Sequence, residues 1–111
     1  MNPFRDAESA WLWYCITQQE RWNGLKPTGA GSDRPCDIDD IASVFMRLMR
    51  QGRLSMQQSA VMLRYGFNLR APDRRYEPRQ LQLWVQGLDA LHTPLAEKGI
   101  VEVAGELEPT H

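Results

Sequence analysis

Leu81, Trp84, Val85, Leu88 and Leu91 recur at spacings of three and four residues. That spacing lines one face of an α-helix and scatters over both faces of a strand. Pro78 precedes the pattern, at a first-turn position where its missing N–H breaks no bond. Pro94 is expected to stop or kink the helix, with Leu95–Lys98 adding one more turn before Gly99. An apolar face of this width must be covered, so the chain has to supply other helices with matching faces.

Three further segments answer that need. Asp6 can cap a first helix in which Trp11, Tyr14, Cys15, Gln18 and Trp22 form a stripe. Leu12, Trp13 and Ile16 widen it, and Asn23-Gly24 ends it. Asp37 is placed to cap a second helix, with Asp39 and Asp40 in the first turn and Arg47 and Arg50 in the last, as the helix dipole favours. Its expected buried stripe is Ile38, Ile41, Phe45, Leu48 and Met49, and Gly52 closes it. Ser55 and Gln58 have capping-box spacing for a third helix from Met56 to about Tyr65, with Leu54 as a hydrophobic staple and Gly66 as the stop. The connection at Gly52–Leu54 is so short that the second and third helices are expected to form a tight angled pair. "NGLKPTGAGSDRPC" (23–36) and "FNLRAPDRRYEP" (67–78) read as loops. "IVEVAG" (100–105) reads as a short strand or an extended tail; a strand needs a partner, and a second copy of the chain can provide one.

The expected fold is therefore all-α. It is a small bundle of four main helices forming one domain over residues 1–105, with a short extended C-terminal tail and residues 106–111 disordered. At 111 residues, with 42% hydrophobic and 24% charged side chains, the chain is long enough for one core without disulfides or metal. No apolar run has membrane-spanning length. The first residues, "MNPFRDAESAW", lack the basic start and apolar stretch of a signal peptide, so a cytoplasmic location and reduced cysteines are expected.

Catalytic and metal chemistry find little footing. Cys15, Cys36, His92 and His111 form no metal clamp. His92 is expected to be a polar cap at a helix end. Asp37, Asp39 and Asp40 lack calcium-loop spacing and read as acids of a helix N-terminus. "GAGS" is not followed by a phosphate-loop lysine. Ser55 is accounted for by capping, and no catalytic triad can be picked out. The expectation is no enzyme, no cofactor and no metal.

Charge is more informative. The net charge of −1 conceals eight arginines against only Asp73 and Glu77 over residues 47–79, between two acidic ends. Arginine suits bidentate phosphate contacts. Arg64, Arg70, Arg74, Arg75 and Arg79 cluster around the end of the third helix and the start of the fourth. Arg47, Arg50 and Arg53 can join them across the tight turn. Gln80, Gln82 and Gln86 lie where they can reach base edges. The bland reading is that these arginines are solvated or pair with the acidic ends.

"LSMQQSAVMLRYG" followed by "RQLQLWVQGLDAL" resembles the helix-turn-helix region (region 4) of sigma-type transcription factors. In that family a short polar start, a run with a Leu-Arg-Tyr-Gly-like end and a later Arg-led helix ending in Ala-Leu follow in this order. The resemblance covers residues 53–92. It implies that Arg74, Arg75, Arg79, Gln80 and Gln82 fall in the region that meets DNA. The resulting expectation is a nucleic-acid-binding domain acting in transcription regulation. The alternative is a protein-interaction module or homodimer without nucleic acid. Its basis is four tryptophans, two of which, Trp11 and Trp13, point about 200° apart on one helix, so one of them is expected to serve a protein interface.

Overall fold

The computed structural model describes residues 3–24 and 37–102. Most of the segment expected to form a loop (23–36), Cys36 included, and residues 103–111, among them the expected disordered tail 106–111, lie outside the described residues. Four helices are present in the expected order: α1 (Ala7–Trp22), α2 (Ile38–Arg50), α3 (Met56–Phe67) and α4 (Pro78–Glu97). The all-α bundle expected from the periodicity is the observed architecture.

Local chemistry starts each helix. The Asp6 carboxylate accepts the Ser9 N–H at 2.9 Å. The Asp40 carboxylate reaches back to the Asp37 N–H at 3.0 Å. Ser55 and Gln58 close a full capping box, each side chain accepting the other's backbone N–H at 3.0 Å. Leu54 is buried as expected. It packs near Gly87 of α4, and the fourth position of α3 is the polar Ser59.

The helix ends share one geometry. At the end of α2, Gly52 takes a φ of 75°, with Gly52 N–H donating to Met49 O at 3.1 Å and Arg53 N–H to Leu48 O at 2.9 Å. The end of α4 repeats it, with Gly99 N–H on Ala96 O and Ile100 N–H on Leu95 O. These are Schellman closures, in which the left-handed residue is usually glycine. α3 closes the same way, through Leu69 N–H on Gly66 O and Arg70 N–H on Tyr65 O, but there Leu69 carries a φ of 59°. Gly66 therefore does not stop α3. It sits inside the helix, buried where a Cβ would come within 2.6 Å of the Trp11 indole nitrogen and 2.7 Å of the Cys15 sulfur.

Trp11 organises the core. It is 0% exposed, stacks on Phe45 of α2 with centroids 4.8 Å apart, and donates its indole N–H to Met62 O of α3 at 2.9 Å. An aromatic of this size buries about 150–250 Å², an upper bound of roughly 4–6 kcal/mol. Ile41, Val44, Leu48, Met62, Trp84, Leu91 and Leu95 complete the centre. The edges of the expected stripes face outward: Trp22 is 68% exposed and stacks on Phe67, while Met49 and Val85 lie at the surface.

Further expectations are corrected. The turn between α2 and α3 is short, but these helices scarcely touch; each packs on α1 and α4 instead, because α2 directs Ile41, Phe45 and Leu48 toward that shared core. α4 runs through Pro94 to Glu97, which supplies the extra turn expected before Gly99. Pro94 is buried, with Leu91 and Leu95 fully enclosed beside it, and this packing offsets the lost helical bond. His92 accordingly lies within the helix, with Nε2 3.1 Å from Glu102 O. The C-terminal extended segment finds its partner in the same chain. Phe4 N–H donates to Ile100 O at 2.8 Å and Glu102 N–H to Phe4 O at 2.9 Å, forming one parallel bridge between Phe4 and Val101.

Candidate nucleic-acid interface

The arginine-rich centre is built on a braced loop, residues 68–77, between α3 and α4. Glu77 is the hub. Its carboxylate accepts the Tyr65 hydroxyl at 2.7 Å, the Arg70 guanidinium at 3.1 Å and the Asp73 N–H at 2.8 Å. The Arg70 guanidinium also lies 5.1 Å from the Tyr65 ring centroid. Arg70, followed by the backbone of Asp73 and the Tyr65 hydroxyl, lowers the Glu77 pKa from its ordinary 4.5 to about 2. The Tyr65 hydroxyl is raised in turn, mainly by its bond to Glu77. Asp73 accepts from Arg75 N–H at 2.7 Å and Tyr76 N–H at 3.3 Å, a turn closed by its own aspartate. Buried Pro72 pins the loop from below, and Arg74, Arg75 and Tyr76 are left exposed at its tip.

These contacts sort the expected site residues. Arg70 is corrected: its charge is engaged by Glu77 and its plane lies on Tyr65, so it braces the loop rather than waiting for a phosphate. Arg64 and Arg79 come together from different helices. With Gln57, Tyr65, Gln80 and Leu83 they line a groove of about 240 Å³ between α3 and α4. None of the residues lining this groove is acidic. Because the Glu77 carboxylate is turned to the loop, it gives the α4 N-terminus no side-chain cap. Uncapped first-turn N–H groups and the helix dipole favour an anion there. Gln82 is exposed on α4, one turn beyond Arg79, and Gln86 continues that face while bonding Gln58 at 3.1 Å.

The eight arginines do not share one surface. Arg53 borders a different hollow, with Asp89, Thr93 and Pro94 in the second half of α4, and Arg47 and Arg50 end the neighbouring α2. About eleven residues of helix, or roughly 16 Å, separate that end from Arg79. Arg64, Arg79 and Gln80 share the groove, and Arg74 and Arg75 stay exposed on the loop.

The tryptophan expectation divides as well. Trp11 is enclosed in the core and has nothing to offer a partner, correcting its expected interface role. Trp13 is half-buried against Phe4, with centroids 5.3 Å apart, and its indole N–H has no hydrogen-bond partner among the described residues. Sequence reasoning missed Phe4 altogether, although an aromatic just before a helix cap is a signal that the N-terminal segment packs.

No group of histidine, cysteine and carboxylate side chains is placed to hold a metal ion among the described residues, and none of their helices is long and apolar enough to cross a membrane. Burial pushes the Cys15 thiol up to about 12, which keeps it protonated and unreactive at neutral pH. No family model, curated protein or solved structure matches the chain.

Proposed function

We propose that this chain is a nucleic-acid-binding helical domain that acts in transcription regulation. One observation carries the reading: Arg64 and Arg79 meet across a groove with no acidic lining, beside the uncapped N-terminus of α4. Phosphates would sit in that groove, and Arg74 and Arg75 on the braced loop would reach the flanking backbone. Gln80 and Gln82 lie close enough to α4's start to approach base edges. The resemblance of residues 53–92 to the sigma-type helix-turn-helix region favours duplex DNA as the target. No catalytic step belongs to this reading.

The direct test is fluorescence anisotropy with labelled mixed-sequence duplex DNA, at about 50 and 200 mM salt, because phosphate contacts weaken steeply with added salt. Wild type is expected to bind at low salt and release at high salt, with Arg74→Ala/Arg75→Ala weaker at both. Absence of binding at low salt rejects the proposal for duplex DNA.

A second reading rests on a different observation. Met56, Ala60, Leu63 and Phe67 follow one helical face of α3, with Met56 83% exposed, and Trp22 of α1 extends the stripe by stacking on Phe67. Exposed apolar stripes mark protein contacts, so a homodimeric or protein-binding module without nucleic acid is the alternative. Sedimentation at rising concentration separates the two: self-association abolished by Met56→Ser/Leu63→Ser supports the module.

A further inference from the structure

α4 has a second lined hollow, on the side away from the arginine groove. Leu81, Trp84, Val85 and Leu88 form its apolar wall, and its volume is about 410 Å³. That is at the small end of the range typical of ligand sites, about 300–1,000 Å³. Val85 is 48% exposed at this place, an apolar side chain left uncovered on an otherwise well-sorted helix.

Three carboxylates dominate the rim, with the His92 imidazole of α4 beside them. Asp6 and Glu8 enter from the start of α1 and Asp89 from α4, and no lysine or arginine lines the hollow. The dipole of α1 accounts for Asp6 and Glu8. It does not account for Asp89, which sits mid-helix with Val85 and Thr93 one turn away on either side. Among the described residues neither Glu8 nor Asp89 makes a hydrogen bond or an ion pair, and Arg53, which shares another hollow with Asp89, forms no ion pair with it. Burial acts against ionisation of Asp6, but the Ser9 hydrogen bonds and nearby Arg5 outweigh it and lower its pKa. The Asp6 carboxylate is therefore held charged at neutral pH.

We propose that this hollow binds a small organic cation with an apolar body, of the aryl-alkylamine class. The ring lies on the Leu81 and Val85 wall, and the ammonium meets the Asp6, Glu8 and Asp89 carboxylates. An apolar body without charge gains only the wall. An anion of the same shape is repelled by the rim. The site is independent of the arginine groove, because the two sets of lining residues share no side chain.

The test uses the full chain labelled with ¹⁵N and three probes of one shape: phenethylamine, phenethyl alcohol and phenylacetate. Phenethylamine is expected to shift amides of residues 6–8 and 81–92 saturably, at concentrations up to about 10 mM. The alcohol should bind at least about tenfold more weakly and phenylacetate not at all, since one charge-assisted contact is worth about 1.5–3 kcal/mol. Glu8→Gln/Asp89→Asn should weaken phenethylamine by a similar factor while the remaining spectrum stays folded. Equal binding of amine and alcohol, shifts confined to other residues, or no shift by phenethylamine overturns the proposal.

Discussion

Leu69 occupies a position that the chain fills with glycine at the other three helix ends, Gly24, Gly52 and Gly99. A left-handed conformation costs an L-residue roughly 1–2 kcal/mol, and the Leu69 side chain is 47% exposed, so little burial offsets it. Leu69→Gly should stabilise the protein by about 0.5–1 kcal/mol after the entropy of glycine in the unfolded chain is deducted; chemical denaturation measures it. Gly66 is the converse case. A Cβ there meets the Trp11 indole and Cys15, both rigidly enclosed, so Gly66→Ala should destabilise by about 2 kcal/mol. At Gly87 the nearest atoms belong to the flexible side chain of Met62, and Gly87→Ala should cost less. A smaller loss at Gly66 than at Gly87 would contradict this packing. The same pair of residues explains a misreading. Glycine is the strongest visible stop signal, so Gly66 marks the end of α3 in the sequence, whereas the real left-handed residue is a leucine that carries no such signal.

At the scale of elements, the helices were legible because caps and periodicity agreed locally: Ser55 with Gln58, Pro78 before the Leu81–Leu91 stripe, and Gly52 after α2. What was not legible depended on contacts far apart in sequence. The helices on either side of Gly52–Leu54 pack elsewhere, and the loop after α3 is held by Glu77. That hub makes a pH prediction. Its carboxylate ionises at about 2 in the folded protein and near 4.5 when free, so the unfolded chain takes up the proton first as pH falls. The stabilisation is complete above about pH 5, declines between about 4.5 and 2, and is gone below. Glu77→Gln should lower Tm by several degrees at neutral pH, and the gap to wild type should close as pH drops through this window. A gap independent of pH would show that Glu77 acts only as a neutral acceptor.

At the scale of the molecule, the two ends of the described chain meet at Phe4 and Val101, so the extended C-terminal segment has its partner without a second copy. Nothing local in "IVEVAG" reveals that partner. The charge asymmetry was visible in the sequence as a basic centre, but not its division, because chain order cannot show that Arg53 sits half a helix away from Arg79. Folding also removes Arg70 from the set, through a carboxylate seven residues on. Under the proposed function, the arginines left to contact phosphate are Arg64, Arg74, Arg75 and Arg79. The most direct measurement is the salt dependence of duplex DNA affinity. Each phosphate contact contributes about −0.9 to the slope of log K against log salt, so wild type should give roughly −3 to −4. Arg64→Ala/Arg79→Ala should reduce the magnitude by about 2, and Arg47→Ala/Arg50→Ala should leave it unchanged. Equal slopes for the two double variants, or no binding at low salt, would contradict the assignment of this groove to nucleic acid.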